Sequence, residues 1–491
     1  MQDLGTKKTF IDNNKSYSKK IKIMNLNFGP QHPAAHGILR LIFQMNGEYI
    51  QKIDTQFGLL HRGSEKLIES KFYIQSLPYF DRFDYVANIF QEHAYCLTIE
   101  KLLNTKKTFD LYLNYIRTLF DELSRILNHL LTLSATSLDV GAMGSIFWAF
   151  EERERIMEFF ERVSGARMHT ALYKPNYFDL TTINEIFLLD LSKFLLKCSR
   201  TINGAFLGLL NNRILKSRLS GIGSIQINKI NNYGITGIIS RSSGFKDDLR
   251  LKKINNYGSY WYLSFRTFLG KKGDNYDRFL IRIKEILESF RIISQLINFL
   301  NIKKINNKFN AGSSMLFFYK FKNNNKILLF KFFYKKILKL KYIFYKNKYK
   351  IKYISSFYNL FYLFFFFILK KKINNNHTYF NIQNFLFSNF NNNSNFKNKF
   401  SSMEETISHF KYYSEGFNVP SGISYQNVES PKGYVGVILI SDGSSTPYRC
   451  KMRTPVSHNM HLIPSICTGL MFADFVATFC SLDIVLGEID R

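Results

Sequence analysis

Gly29–Pro30–Gln31–His32–Pro33–Ala34–Ala35–His36–Gly37 lies between two alternating apolar runs, Met24–Phe28 and Ile38–Met45. The alternation reads as two β-strands. Two prolines and two glycines bar both helix and regular ladder from the stretch between them, so the loop must be held by its surroundings. It presents His32 and His36 on a stiff backbone beside a sheet. A histidine so placed donates to a neutral acceptor or gives up a proton near neutral pH. Alternatively, both imidazoles simply satisfy loop carbonyls. Next comes Asn46–Gly47, the strongest hairpin signal in the chain, joining Ile38–Met45 to Glu48–Phe57. An antiparallel sheet of about three strands therefore opens the molecule.

Beyond the sheet, Gly58–Gly63 leads to a helical pattern at Ser64 and Lys66–Ile68, which Pro78 interrupts. Phe80–Asp81–Arg82–Phe83–Asp84–Tyr85 follows as a dense polar and aromatic cluster. Leu119, Leu123, Ile126, Leu127, Leu130 and Leu131 recur at helical spacing, and Asp139 closes that region. Glu151–Arg155 opens another helix, with charges spaced for solvated pairs or a partner surface, running into Ser164–His169. Residues 183–215 and Asp274–Leu300 read as further helices, whereas residues 220–265 read as β-like. Strands are expected at Gly433–Ile440 and Tyr448–Arg453 around a turn at Ser441–Ser445, then a buried helix at Leu470–Val485. The charged residues of Leu486–Arg491 either fray in solvent or tuck into a polar pocket.

The expected divisions are an extension at 1–23, an N-terminal β-sheet with its loop at 24–63 and a helical bundle at 64–218. They continue with a β-rich excursion at 219–268, a bundle helix at 269–302, an insertion at 303–400 and a part completing the bundle at 401–491. The fold class is α+β: an N-terminal antiparallel β-sheet, a central helical bundle and additional small β-elements.

With 491 residues the chain can bury a large core. Its net charge of +30 suggests a nucleic-acid binder until the charge is located. Residues 301–400 hold 20 lysines and no Asp, Glu or Arg; outside them 47 basic residues face 37 acidic ones. The same segment is dense in aromatics and asparagine. It packs on a partner or lipid headgroups, is partly disordered, or is filler set by codon bias. Its basic–aromatic interleaving also suits single-stranded nucleic acid. Lys, Asn, Ile, Phe and Tyr all have A/T-rich codons, as in an organellar genome. Cysteines 96, 198, 450, 467 and 480 make no CxxC, which argues against a zinc knuckle, a self-contained iron–sulfur site or a disulfide framework. No secretory signal is expected, since the first residues are polar. Tyr353–Leu369, the longest apolar stretch, is interrupted by Ser355, Ser356 and Asn359 and is short for a membrane span.

Six motifs in order carry a resemblance. They are Asn27–Gly37, Leu60–Glu69, Leu77–Tyr85, Gly165–His169, Ser441–Ser445 and Gly487–Arg491. Over about residues 21–300 and 401–491 the chain resembles NADH dehydrogenase subunit 7, the quinone-pocket subunit of respiratory complex I. The resemblance implies a fold like that of nickel–iron hydrogenase large subunits. It also implies a ubiquinone headgroup pocket shared with a small iron–sulfur subunit, whose cysteines hold the terminal 4Fe–4S cluster. In the family, the residues matching His36 and Tyr85 donate to the quinone, and Asp139 matches the carboxylate paired with that histidine. Arg62, Arg82 and His169 match residues beside the partner's cluster. The implied protein is a subunit of a proton-translocating NADH:ubiquinone oxidoreductase. It would lie on the matrix side of the mitochondrial inner membrane, be encoded in the mitochondrial genome, reach the membrane through the other subunits and bind no nucleic acid. The segments Tyr173–Phe178 and Thr454–His458 depart from the family pattern.

The residue chemistry agrees with that implication. Reducing a quinone places two electrons and two protons on two carbonyl oxygens, so a phenol and a carboxylate-oriented imidazole are suitable donors. Arginine and histidine beside a cluster favour its reduced form. A structural reading stands beside each assignment: Tyr85 as a core tyrosine, and Arg62 and Arg82 as bridges to Asp81 and Asp84. Two rival functions remain. A hydrogenase-like metal-binding large subunit needs two CxxC pairs, which are missing here. An RNA-binding module working through residues 303–400 predicts steep salt dependence.

Overall fold

The computed structural model describes residues 23–31, 37–104, 111–176, 178, 182–252, 257–309 and 403–491. These fall into two compact units, residues 1–303 with 411–491, and residues 304–410. In the second unit the described residues are helical, at 304–309 and 403–410. All that follows concerns the first. The insertion expected at 303–400 lies, from residue 310 on, outside the described residues, as does the extension through residue 22.

The chain opens with an antiparallel sheet in the order β1 (Met24–Phe28), β2 (Arg40–Asn46) and β3 (Tyr49–Gln56). Gly47 turns the β2–β3 hairpin at φ 61°, a left-handed conformation that a side chain would resist. Alternation sends Leu41, Phe43 and Met45 to one face, with Phe28, Ile50 and Ile53 beside them. That face rests on two helices from the far end of the sequence, α12 (Pro455–Cys467) and α13 (Phe472–Ser481). Phe28 and Phe43 meet Phe475 edge-on, at centroid separations of 5.7 and 4.9 Å.

Two short helices, α1 (Ser64–Glu69) and α2 (Leu77–Asp81), lead to the bundle. It is built from α3 (Asn88–Leu102), α4 (Leu111–Asp139), α5 (Gly144–Ser164), α6 (Glu185–Leu210) and α10 (Asn275–Phe309). After α11 (Met403–Ser414) in sequence comes a second antiparallel sheet, β4 (Gly422–Glu429), β5 (Tyr434–Ser441) and β6 (Arg449–Arg453), which packs on α3. The apolar stripe expected on α4 is buried, Leu131 only in part, and so are its charged residues Arg117, Asp121, Glu122 and Arg125.

Several expectations need correction. The β-rich excursion at 219–268 has no strand among its described residues. It holds α8 (Ile227–Tyr233), α9 (Ile238–Ser242) and two 3₁₀ turns, preceded by α7 (Arg213–Leu219). Its isoleucines, Ile225, Ile230, Ile235 and Ile239, are buried against the N-terminal sheet and α12, and tertiary burial overrides their strand preference. Helix α5 begins at Gly144, seven residues before the charged run taken as its start. The helix expected at Leu470–Val485 spans only Phe472–Ser481.

The ring of Phe475 joins the two ends of the sequence. Phe475→Ala is expected to cost about 3–5 kcal/mol, measured as a lowered midpoint of denaturant unfolding.

Candidate functional site

The site grows from the segment between α2 and α3. Asp84 accepts from the backbone N–H groups of Val86 (3.2 Å) and Ala87 (3.3 Å) at the start of α3, where a negative charge is favoured. Both its oxygens also take the Lys432 ammonium at 2.6 Å, and neither side chain reaches solvent. Lys432 stands at the tip of the β4–β5 hairpin, closed by reciprocal backbone bonds between Ser430 and Gly433. This hairpin tip points into the core instead of into water.

Tyr85 is 36 % exposed, and its hydroxyl makes no hydrogen bond among the described residues. Burial pushes the phenol above its ordinary range; the Lys432 ammonium opposes this, while Asp84 and Asp483 reinforce it. The group is therefore a neutral O–H donor at physiological pH, open on one side and backed by a buried ion pair.

Further acids stand behind that pair. Glu488 Oε1 accepts from Gln91 Nε2 at 2.6 Å, and Asp483 Oδ2 accepts from Asn128 Nδ2 at 2.6 Å. Burial, then the Asp84 charge, pushes the Glu488 carboxyl up to about 8 against the pull of Lys432. Asp139, the last residue of α4, is exposed beside the Cys480 thiol, and desolvation on its inner side raises its carboxyl. A carboxylate at a helix C-terminus is disfavoured by the helix dipole as well. Asp483 lies within electrostatic reach of both Tyr85 and Cys480, so it links the Tyr85 and Asp139 sides of the site.

Arg82 and His169 lie on the other side of the segment, both close enough to Asp81 to act on its charge. Arg82 is exposed and donates to Pro78 O at 2.7 Å. It therefore does not bridge Asp81 and Asp84, as the structural reading expected: Asp84 is taken by Lys432, and Asp81 accepts from Ala171 N–H at 3.0 Å. Arg62 is exposed on the Gly58–Gly63 loop. That loop is clamped by the last helix, α14 (Leu486–Asp490), whose Asp490 carboxylate accepts from Gly58 N–H (2.9 Å) and Leu60 N–H (2.8 Å). Arg491 reaches Glu65 Oε1 at 3.0 Å. The closing residues are thus tucked into a polar pocket. Gly487 backs directly onto the Arg82–Phe83 backbone, and a Cβ there would sit 2.6 Å from Phe83 O. His32 and His36 lie outside the described residues.

The structure thus brings Tyr85 within reach of Asp483 and gathers Arg82 and His169 around Asp81, with the Arg62 loop tied to the same segment through Gly487; Asp139 stands beside Cys480, which Asp483 also reaches. Sequence reasoning missed Lys432, Asp483 and Gln91, and quoted Glu488 only as part of the closing motif. A lysine at a hairpin tip ordinarily signals solvent, and no local pattern marks it as buried. The five cysteines are free and lie on separate elements, a donor set that does not fit a cluster held by this chain. Among the described residues no three His, Cys, Asp or Glu side chains gather as a metal site, and no helix is long and apolar enough to cross a membrane.

Comparison with known proteins agrees with these motifs. The family model described as respiratory-chain NADH dehydrogenase, 49 kDa subunit, matches residues 139–351 and 368–491. An NADH-ubiquinone oxidoreductase 49 kDa subunit of Paramecium tetraurelia is 45 % identical over 471 residues, 96 % of this chain and 100 % of the relative. Its counterpart in Acanthamoeba castellanii is 40 % identical, covering 96 % of this chain and 97 % of the relative. The counterpart in Prototheca wickerhamii is 39 % identical, covering 96 % of this chain and 98 % of the relative.

Two measurements test the electrostatics. Lys432→Met leaves Asp84 buried without its counter-charge and is expected to destabilise the protein by about 3–5 kcal/mol. Adding Asp84→Asn, which keeps an acceptor for the α3 amides, is expected to restore much of that loss in an unfolding titration. Glu488 binds its proton more tightly folded than unfolded. Its stabilising contribution is therefore full below the ordinary carboxylate range and lost as pH rises to about 8. In Glu488→Gln that part of the pH–stability slope is expected to vanish.

Proposed function

Because this chain belongs to the family of the 49 kDa subunit of respiratory-chain NADH dehydrogenase, we propose that it forms the quinone-headgroup pocket of that complex. Its neighbour in the pocket is a small subunit carrying a 4Fe–4S cluster. The observation that carries this reading is Tyr85: a neutral, partly exposed phenol whose hydroxyl has no partner among the described residues, set against a buried ammonium–carboxylate pair.

The reaction adds two electrons and two protons to a quinone, turning its two carbonyls into two hydroxyls. The partner's cluster supplies the electrons. Tyr85 hydrogen-bonds one carbonyl and donates as negative charge develops on that oxygen. The Lys432 ammonium is close enough to offset the charge left on the phenol oxygen. His36 donates to the quinone as well, with Asp139 as its carboxylate partner. Arg82, Arg62 and His169 face the partner's cluster, where positive charge favours the reduced state.

The rest of the reading follows from this assignment. Quinone reduction by electrons from NADH is coupled to proton translocation in the assembled enzyme, and ubiquinone is the quinone. The chain sits on the matrix side of the mitochondrial inner membrane, is encoded in the mitochondrial genome and meets the membrane through other subunits.

Tyr85→Phe keeps the ring and removes the donor. The expected result is an assembled complex whose quinone reductase activity falls by about 100-fold or more, with electron transfer from NADH to an artificial acceptor retained. Near-normal quinone turnover in that complex would remove Tyr85 from the reaction.

A further inference from the structure

The segment that carries Tyr85 also carries two acids that quinone reduction does not use. Asp81, closing α2, and Glu92, in the second turn of α3, are wholly buried, bind the same short loop, and lie close enough for each carboxyl to act on the other. Two carboxylates have no donor between them, so a bond joining them requires a proton. Asp81 Oδ1 is buried and meets no N–H or O–H group among the described residues. The other oxygens are all taken by one loop. Asp81 Oδ2 accepts from Ala171 N–H at 3.0 Å, Glu92 Oε2 from Tyr173 N–H at 2.8 Å, and Glu92 Oε1 from the Thr170 hydroxyl at 3.2 Å.

That loop follows His169 directly. His169 and Ala171 both adopt left-handed backbone, at φ 54° and 41°, which non-glycine residues keep only where their surroundings impose it. The two carboxyls bind the Ala171 and Tyr173 amides of this stretch. Arg82 and His169 face Asp81; Cys96 and Tyr173 face Glu92, with Arg117 and Asp121 of α4 behind Tyr173.

We propose that Asp81 and Glu92 share one proton and, through it, latch residues 170–173, making them positioning residues for His169. While the proton is present, one acid donates to the other and their remaining lone pairs hold the loop. When it leaves, two buried negative charges face each other, the pair separates and the loop bonds open. Burial holds both carboxyls above their ordinary range, with mutual repulsion adding for Glu92, so the latch is closed at low pH and opens as pH rises. The consequence for a partner's cluster rests on the reading proposed above. The latch itself does not.

Amide hydrogen exchange in the assembled complex tests it, with the Ala171 and Tyr173 amides followed against pH and corrected for the intrinsic rise in exchange. The wild type is expected to lose protection by roughly tenfold or more across the titration. In Asp81→Asn the side-chain amide replaces the shared proton, donating to Glu92 while its oxygen still accepts from Ala171. Protection is then expected to persist at every pH. Asp81→Ala, which has neither group, is expected to be unprotected throughout. Equal pH profiles for the wild type and Asp81→Asn, or an assembled Asp81→Asn as exposed as Asp81→Ala, would overturn the proposal. So would a flat wild-type profile, which decides the matter even if the variants fail to assemble. Loss of the latch with Tyr85→Phe still inactive would leave the quinone reading standing, and the reverse holds equally.

Discussion

A charge taken out of water must find its counter-charge inside the protein, and α4 imposes that demand along its whole length. Arg117 pairs with Glu100 of α3 at 2.7 Å, and Asp121 hydrogen-bonds the His93 imidazole of α3 at 2.7 Å. Glu122 meets Arg125 at 3.3 Å and accepts from Tyr260 at 2.7 Å, while the His129 imidazole, kept from charging by its burial, hydrogen-bonds Glu285 of α10 at 3.0 Å. Arg241 of α9 then joins Glu285 to Glu429 of β4, at 2.9 and 2.7 Å. A buried pair contributes little net stability over an apolar substitute, yet breaking one is costly. A register slip of α4, or a wrong neighbour for it, strands several charges at once. The network therefore selects one arrangement of α3, α4, α9, α10 and the second sheet more than it strengthens that arrangement.

The same logic explains why the candidate site is assembled from distant parts of the chain. Tyr85 and Asp84 come from the α2–α3 segment, Lys432 from a hairpin tip, and Glu488 and Asp490 from the closing helix. Each is held by a contact spanning hundreds of residues of sequence. Asp490 binds the backbone of the Arg62 loop, and Gly487 lets the closing helix approach the Arg82–Phe83 carbonyls to within a distance that no side chain tolerates. The closing helix thus fixes the two segments relative to each other.

Local pattern revealed whatever depends on local physics. The turn at Asn46–Gly47 and the alternation around it located the first sheet, with β1 at Met24–Phe28 as expected. The leucine stripe located α4. Residues 219–268 misled because their isoleucines suit a strand as well as the buried side of a short helix, and only the neighbouring sheet decides between them. Helix α12 went unassigned because Pro464 sits inside it and reads as a breaker. Within the site, motif resemblance singled out Tyr85, Asp139, Arg82 and His169. It could not single out Lys432, since whether a hairpin-tip lysine is solvated or buried depends on an acid 348 residues away. The charged positions of α4 were illegible for the same reason: a polar helix face looks identical whether it meets water or other helices.

One tendency runs through the buried acids: a carboxyl in excess of the nearby cations is held above its ordinary range. Burial alone would raise Glu122 and Glu285, but Arg125 and Arg250 hold the first below its ordinary range, and Arg241 holds the second well below. Asp248 is likewise lowered by Arg250 and Arg241. Those three arginines are then matched by three carboxylates, and the fourth acid, Glu429, is pushed up to about 7 by burial and by Asp248. Around Lys432 the balance repeats on a smaller scale. Asp84 takes the ammonium, and Glu488, in surplus, is pushed up to about 8. Asp81 and Glu92 are the limiting case, in which the acids face each other and the only device that can join them is a proton. Where buried carboxyls outnumber the cations beside them, the surplus acid is thus held above its ordinary range by its surroundings and not by its own chemistry.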